Sequence, residues 1–298
     1  MDAGRIGARR VGVRLPGVRL VGAGRCILAA LILAGGLPAS ALASDEAQPA
    51  SSAWGFLQSK YYGDRVMGLV DENFMSLQAP QTTPDPASTP LTLRFTHDPR
   101  RPIKRIRVFV DNNPSPLVAT LDFPDTTALT QIDMRVRVDR FTSVRAVAET
   151  ARGELEMRST WVKASGGCSA PPGPAAGGTL GEIRVRPSAD ARAVQISIRH
   201  PNNSGFQIDP RSGEPIPAHY ISELHLRAGG KALLDAEMGI SISENPTLRI
   251  ASDAPLPAPL SIDAVDSETH AHFRAIWAGG SSAQHAQRAS GTIQTVGW

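Results

Sequence analysis

The sequence predicts an all-β protein made of two immunoglobulin-like β-sandwich domains joined by a Gly/Pro-rich linker. Three observations lead to this prediction: short segments of alternating polarity, turn residues that bound each segment, and a central break after which the alternation resumes. In residues 132–139 apolar and polar side chains alternate without a fault, as in a strand with one face in a core. Two sandwiches of about a hundred residues each fit the length of the chain.

The first predicted sandwich, with an N-terminal extension, occupies residues 44–162. Trp54, Leu57 and Tyr61 have helical spacing, which is compatible with a short leading helix. The strands that follow are each bounded by Pro, Asn, Asp or Gly, as strands bounded by turns usually are. They are predicted at residues 91–95, 103–110, 118–123, 132–139, 144–149 and 155–162.

The second predicted sandwich occupies residues 182–278 and repeats the same pattern. Its strands are predicted at residues 183–185, 194–198, 221–226, 233–236, 240–242, 248–250, 260–265 and 273–277. Residues 228–231 contain two glycines in a row, which predicts a hairpin turn. The tail, residues 279–298, is small and polar, with a candidate last strand at 292–296.

Residues 1–43 have the order of a secretory signal peptide. Arginines come first, the apolar run of residues 26–34 follows, and the small-residue site Ala41-Leu42-Ala43 ends the segment. The apolar run is too short for a permanent membrane helix. We therefore expect an exported protein, with the Sec and twin-arginine routes both open, and no membrane association after cleavage.

Removal of this leader changes the charge of the protein. The leader holds six arginines and one aspartate, so the formal net charge falls from +3 for the whole chain to −2. The basic character therefore belongs to the leader, and no basic patch interleaved with aromatics remains to indicate a nucleic-acid partner.

Cys168 is the only cysteine outside the predicted leader, because Cys26 lies within it. An odd cysteine in an exported protein indicates a reactive thiol or an intermolecular disulfide, here a homodimer linked through Cys168. The alternative is a buried cysteine acting as a small hydrophobe. Because Gly166, Gly167 and Pro171 offer no apolar periodicity, we expect the thiol to project into solvent. The carrier arm and linker is predicted at residues 163–181, with Gly166 and Gly167 giving flexibility.

Several segments resemble a known family of sulfur carriers. Residues 103–114, 118–121 and 144–149, with a strand that ends at Gly166-Gly167-Cys168, resemble SoxY, the sulfur-carrier subunit of the periplasmic thiosulfate-oxidising system. Residues 198–201, 216–217, 230–231 and 242–248 are similar to its partner SoxZ. The combination resembles the fused SoxYZ-like carriers associated with quinoprotein (PQQ-dependent) alcohol dehydrogenases.

The resemblance implies a periplasmic carrier rather than an enzyme. It implies that Cys168 attaches a sulfur-derived group covalently and presents it to periplasmic redox enzymes, of Sox type or of a quinoprotein dehydrogenase system. In SoxY the cysteine closes a C-terminal Gly-Gly-Cys-Gly-Gly arm. Here Ser169 and Ala170 replace the trailing glycines, and the arm runs on into the second domain. No cofactor and no metal is predicted.

Three functional classes stay open at this stage. The first is the thiol carrier, and the second is a non-covalent adaptor that docks onto a periplasmic dehydrogenase with Cys168 as a relic. The third, an enzyme, is disfavoured because the sequence supplies a nucleophile without a base beside it. His219 with His225, and His270 with His272, could form a metal site only if the fold assembled them. A thiol sealed inside either sandwich, out of reach of a partner, would rule out the carrier and leave only a docking scaffold.

Overall fold

Two β-sheets packed against each other form this protein in a computed structural model. The structure describes residues 52–69, 71–96, 98–124, 129–173 and 177–279. The predicted signal peptide, residues 1–43, and the candidate strand at 292–296 lie outside the described residues. Within these described ranges, no helix combines the length and apolar character needed to cross a bilayer. The predicted all-β fold is confirmed.

The first half begins with the expected short helix, α1, at Ser52–Tyr62. Two short strands that the sequence did not reveal follow it, and a 3-10 turn at Pro86–Ser88 precedes the longer strands. The strands are β1 Met67–Leu69, β2 Met75–Gln78, β3 Thr89–Phe95, β4 Ile103–Val110, β5 Leu117–Asp122, β6 Leu129–Val136, β7 Thr142–Thr150 and β8 Leu155–Val162. All six predicted strands of this half are present, with shifts of a few residues at their ends.

The described part of the second half contributes seven strands. They are β9 Ile183–Pro187, β10 Ala193–Ile198, β11 Ile221–Ala228, β12 Lys231–Met238, β13 Thr247–Ser252, β14 Leu260–Asp266 and β15 His272–Trp277. Gly229 and Gly230 have φ of 55° and 80°, and they close the predicted hairpin between β11 and β12. The strand predicted at 240–242 is wrong. This segment is a turn that makes a single bridge, between Ile242 and Val136, because the chain must reverse there between β12 and β13.

Both sheets run through both halves of the chain. The nine-stranded sheet has the order β1-β8-β7-β4-β5-β12-β11-β14-β15, and the six-stranded sheet has the order β2-β3-β6-β13-β10-β9. The halves meet where β5 pairs with β12 and where β6 pairs with β13, both antiparallel. The two sandwiches are therefore joined by main-chain hydrogen bonds in each sheet as well as by the linker.

One hydrophobic core is continuous across this junction. It contains buried side chains of the first half, such as Leu121 and Ile132, together with those of the second half, such as Ile196 and Ile250. A smaller cluster forms where α1 covers the outer face of the nine-stranded sheet, and Trp54 packs edge to face on Phe109 with ring centroids 5.6 Å apart. The junction of the halves is thus a fixed part of the fold. The segment after β8 lies beside this junction.

Candidate functional site

Cys168 lies at the boundary between the two halves, and its side chain is fully buried, with 0% exposure. The expectation that its thiol projects into solvent is wrong. The physical reason is that the segment after β8 folds back onto the chain after β6. Gly166 N donates to Asp139 O (2.7 Å) and Gly167 N donates to Val138 O (3.1 Å). The arm, defined here as residues 163–173, is therefore docked along the first half.

Gly166 and Gly167 have different roles in the docked arm. Gly166 has a φ of +75°, in the left-handed region that favours glycine. A Cβ on Gly167 would lie 2.3 Å from Pro86 O and 2.5 Å from Val138 O, closer than real Cβ atoms come to backbone oxygens. Gly166 thus allows the turn of the backbone, and Gly167 allows close contact with the body of the protein. Their predicted role in flexibility stays a prediction.

Cys168 is held by polar groups from both halves. Its N–H donates to Asp139 Oδ1 (3.3 Å), and its carbonyl accepts a short hydrogen bond from the Ser204 hydroxyl. Cys168 is as fully buried as the residues of the core, yet it belongs to neither hydrophobic cluster of the described residues. The polar residues that surround the docked arm between the halves are called the seam here: Arg137, Asp139, Asn202, Ser204 and Gln207.

Arg137 is the central cation of the seam, and 1% of its surface is exposed. Nη1 donates to Gly167 O (3.2 Å) and Nη2 donates to Asn202 O (3.1 Å). Its Nε has no hydrogen-bond partner within the described part of the chain. Burial lowers the pKa of Arg137, while the nearby Cys168 acts in the opposite sense. A buried guanidinium with spare hydrogen-bonding capacity therefore lies beside the cysteine.

The second half secures the rest of the arm. Gln207 is buried, and its Nε2 donates to Ala170 O (2.9 Å). Further along, Gly173 N donates to Glu244 Oε2 (2.8 Å). Ser165 and Ser169 are exposed, whereas Ala164 and Gly167 are buried together with the cysteine. The arm thus lies along the seam with Cys168 turned inward and its two serines accessible.

The surroundings of Cys168 keep the thiol protonated. Burial, and to a smaller extent the Asp139 carboxylate, raise the pKa of Cys168 to about 12, although Arg137 opposes both effects. Because the thiolate is the nucleophile, the docked cysteine is unreactive near neutral pH. Reaction at this sulfur requires the arm to leave the seam or the local charge to change.

An open cleft of about 850 Å³ adjoins the docked cysteine. Asp139 and Ser169, which flank Cys168 in space and in sequence, form part of its wall. Phe141 from the first half and Phe206 from the second also line it, with exposures of 57% and 48%. The cleft is therefore polar near the cysteine and carries exposed aromatic rings from both halves.

The structure does not bring together the histidine pairs that the sequence suggested, His219 with His225 and His270 with His272. His225 contacts Asp235 and Glu223, and His272 contacts Asp263. His219 instead meets His200 and Asp266, which are distant in sequence. No sequence pattern links these three residues, because they are brought together only by the pairing of strands in the second half.

Two family models match the chain in succession. The family described as sulfur oxidation protein SoxY matches residues 59–168, and the family described as sulphur oxidation protein SoxZ matches residues 183–275. Together they span about two thirds of the chain, and the first match ends at Cys168. No curated protein sequence matches the chain.

Some solved structures resemble parts of the fold at low identity. SoxY from Chlorobium limicola f thiosulfatophilum is 19% identical, and the match covers 38% of this chain and 97% of that chain with a TM-score of 0.32. A putative superoxide reductase from Thermotoga maritima is 14% identical over 31% of this chain and 86% of that chain, with a TM-score of 0.27. Three structures of the superoxide reductase (neelaredoxin) from Ignicoccus hospitalis are 9–10% identical over 30% of this chain and 79–80% of their own chains, with TM-scores of 0.26–0.27. Similarity at this level carries no argument about function.

The family matches define the class of this protein. This chain combines a domain of each of two sulfur-oxidation carrier families, and its cysteine lies at their boundary. The chain is a member of the SoxY and SoxZ families, fused in that order into one SoxYZ-like polypeptide.

Proposed function

We propose that this protein carries a sulfur-derived group covalently on Cys168 and presents it to periplasmic redox enzymes. The observation that supports this most is the position of Cys168. It is the last residue matched by the SoxY family, and it lies in a polar seam beside an open cleft rather than in either hydrophobic core. A cysteine that served only to fill space would be expected among apolar neighbours.

The carrier cycle needs a docked and a released arm. In the docked arm the thiol is protonated and covered, so a group bound there is shielded from water and from other thiols. In the released arm, Cys168 can reach about 17 Å from Lys163, since each extended residue spans about 3.4 Å. The neutral hydrogen bonds that hold the arm contribute about 1 kcal/mol each and those to charged groups about 1.5–3 kcal/mol each. Release is therefore a local opening that leaves the two sheets intact.

Loading the arm requires an electron acceptor on the partner. When the Cys168 thiol and a second sulfhydryl form an S–S bond, two electrons and two protons leave the pair. The partner redox enzyme takes the electrons. Because the oxidation is carried out by the partner, the role of this chain is that of a carrier. We propose Sox-type enzymes or a quinoprotein dehydrogenase system as partners, on the family resemblance alone. A homodimer linked through Cys168 would require both arms to be released.

The burial of the thiol favours one second candidate, the non-covalent adaptor. In that case Cys168 never leaves the seam, and the exposed rings of Phe141 and Phe206 form part of the docking surface for a dehydrogenase. Both functions use the same cleft. They differ only in whether the sulfur reacts.

Replacement of the sulfur separates the two functions. We expect Cys168→Ser to abolish substrate-dependent oxidation by cells or by reconstituted periplasmic extract, while melting temperature and partner binding stay unchanged. The matched control is Ser169→Ala, which alters the neighbouring exposed residue and keeps the thiol. Intact mass of protein from induced cells should show adducts confined to the peptide with residue 168. Normal oxidation with Cys168→Ser, together with no adduct on the native protein, would reject the carrier and leave the adaptor as the function.

A further inference from the structure

We propose that His200, His219 and Asp266 form a binding site for one divalent first-row metal ion, of the kind that Zn²⁺ fills. The three residues come from three places in the second half. His200 follows β10, His219 precedes β11, and Asp266 is the last residue of β14. One ligand atom from each residue lies within 4.8 Å of the other two.

The donor atoms already converge on one point. His200 Nε2 lies 3.0 Å and His219 Nε2 lies 2.6 Å from the same oxygen, Asp266 Oδ2. Tetrahedral Zn²⁺ with ligand distances of about 2.0–2.1 Å separates its ligand atoms by about 3.3 Å. Each imidazole Nε2 therefore has to move away from Oδ2 by less than about 1 Å to match the ligand spacing of this ion.

The second oxygen of the carboxylate is fixed by the backbone. Asp266 Oδ1 accepts hydrogen bonds from Glu268 N (2.8 Å) and Thr269 N (2.7 Å), so Oδ2 is turned toward the imidazoles. A carboxylate oxygen held in this way is among the ligand types that Zn²⁺ binds.

Both histidines have a partner for the ring nitrogen that would not bind metal. His200 Nδ1 lies 3.0 Å from Asn202 Oδ1 and 3.1 Å from Asn202 N, so it finds a partner as donor or as acceptor. His219 Nδ1 lies 3.4 Å from the Glu268 carboxylate. When Nε2 binds a metal, the proton moves to Nδ1, and these contacts receive it. Such outer hydrogen bonds orient histidine ligands in metal sites.

The burial of the set favours a metal over a simple hydrogen-bonded triad. The side chains of His200 and Asp266 are fully buried. The described ion-pair contacts of the Asp266 carboxylate are both with histidines. A divalent cation would offset the charge of this buried carboxylate directly. The side chain of His219 is 18% exposed, which leaves one side of the site open to solvent.

The donor set also restricts the type of ion. Two imidazoles and one carboxylate suit Zn²⁺, Co²⁺ and Ni²⁺, whereas Mg²⁺ and Ca²⁺ prefer oxygen ligands alone. Zn²⁺ and Co²⁺ are therefore the probes, and Mg²⁺ is the negative control.

An ion in this site would stiffen the loop that holds the arm, and only this step rests on the proposed function. Asn203 and His219 pair through their backbones, with N to O distances of 2.7 and 3.1 Å, and close this loop at its base. Ser204 and Gln207, which bind the arm, follow directly. Metal binding at His219 would thus favour the docked arm.

The test measures Zn²⁺ binding to untagged, metal-stripped protein carrying Cys168→Ser, so that zinc bound to the thiol is not counted. We expect one Zn²⁺ per chain by calorimetry, no Mg²⁺ binding, and a visible Co²⁺ spectrum typical of a tetrahedral site. His219→Gln should weaken binding by at least about 100-fold, because glutamine keeps a hydrogen-bond donor but is a poor ligand. The matched control, His225→Gln, alters a histidine that also contacts two carboxylates.

Two results would overturn the site. They are the lack of stoichiometric Zn²⁺ binding to the folded protein, and equal affinity in the His219→Gln variant. Because Cys168 is absent from this assay, either result leaves the carrier proposal untouched. The effect on the arm is measured separately in protein with Cys168, where Zn²⁺ should slow alkylation of the thiol. Equal slowing with His219→Gln would place that zinc on the thiol and reject the coupling.

Discussion

Arg137 donates a hydrogen bond from Nη1 to the carbonyl oxygen of Gly167, the residue that precedes Cys168, over 3.2 Å. Its Nη2 donates to Asn202 O in the second half, so one side chain holds the arm and the far side of the seam together. Hydrogen bonds from a charged donor contribute about 1.5–3 kcal/mol each. Docking of the arm therefore depends on Arg137 more than on the neutral contacts around it.

Loss of Arg137 should release the arm. With Arg137→Met the hydrogen bond to Gly167 is gone while the apolar stem is kept, and we expect Cys168 to react with iodoacetamide at least about tenfold faster, equivalent to about 1.4 kcal/mol of docking free energy. Global stability should change less, because removal of a buried charge offsets part of the loss. Arg135→Met is the matched control, since Arg135 is exposed and bonds to Ser88. Equal alkylation rates in both variants would contradict this role.

Alkylation of Cys168 should depend on pH more steeply than that of a free thiol. The pKa of the docked thiol is raised to about 12, above the ordinary value of about 8.5 for an unfolded cysteine. A raised pKa stabilises docking fully below pH 8.5, and this contribution is lost as pH rises toward 12. Ionisation of the Cys168 thiol therefore has two effects. It produces the nucleophilic thiolate, and it favours release of the arm.

Rates of alkylation between pH 7 and 10 measure this effect, with the same protein in urea as the reference. We expect the folded protein to react slowly at pH 7 and to approach the unfolded rate as pH rises. A folded rate that tracks the unfolded rate at every pH would mean that the thiol is already exposed.

A methyl group on Gly167 should prevent docking by steric contact. Because a Cβ there would lie 2.3 Å from Pro86 O and 2.5 Å from Val138 O, the Gly167→Ala arm cannot occupy the seam without displacement of backbone. Overpacking of this kind costs about 1–3 kcal/mol, so Cys168 should become accessible while the sheets stay folded. Gly177→Ala is the control, as nothing lies within 4 Å of a Cβ at that position. Protection of the thiol in Gly167→Ala would show that the arm docks in another way.

Local alternation in the sequence was sufficient to predict the all-β fold, because each strand between 91 and 162 has one face in the core. It could not reveal where the halves meet, since the pairing of β5 with β12 and of β6 with β13 joins segments more than a hundred residues apart. The same limit applies to the site. The alternating pattern predicts that Arg137 lies on the polar face of its strand and points to solvent. The second half covers that face, so Arg137 is buried.

The cysteine illustrates this limit further. Polar and glycine neighbours predicted exposure for Cys168, and the nearby Ser165 and Ser169 are indeed exposed, whereas Gly167 is buried with the cysteine. The sulfur is buried because Asp139 and Ser204, which lie 29 and 36 residues away along the chain, hold its backbone in the seam. His200 and Asp266 escaped notice for the same reason. Their contact spans 66 residues and appears only once β14 has paired with β11.

Cutting the linker tests whether the halves form one folding unit. A protease site inserted after Gly177, an exposed residue with open space around it, gives two fragments on cleavage. Because the fragments share both sheets and a continuous core, we expect them to co-elute in gel filtration at micromolar concentration and to unfold in one transition. The uncut insertion protein is the control. Separation of the fragments into two folded species would mean that the linker, rather than the paired strands, holds the halves together.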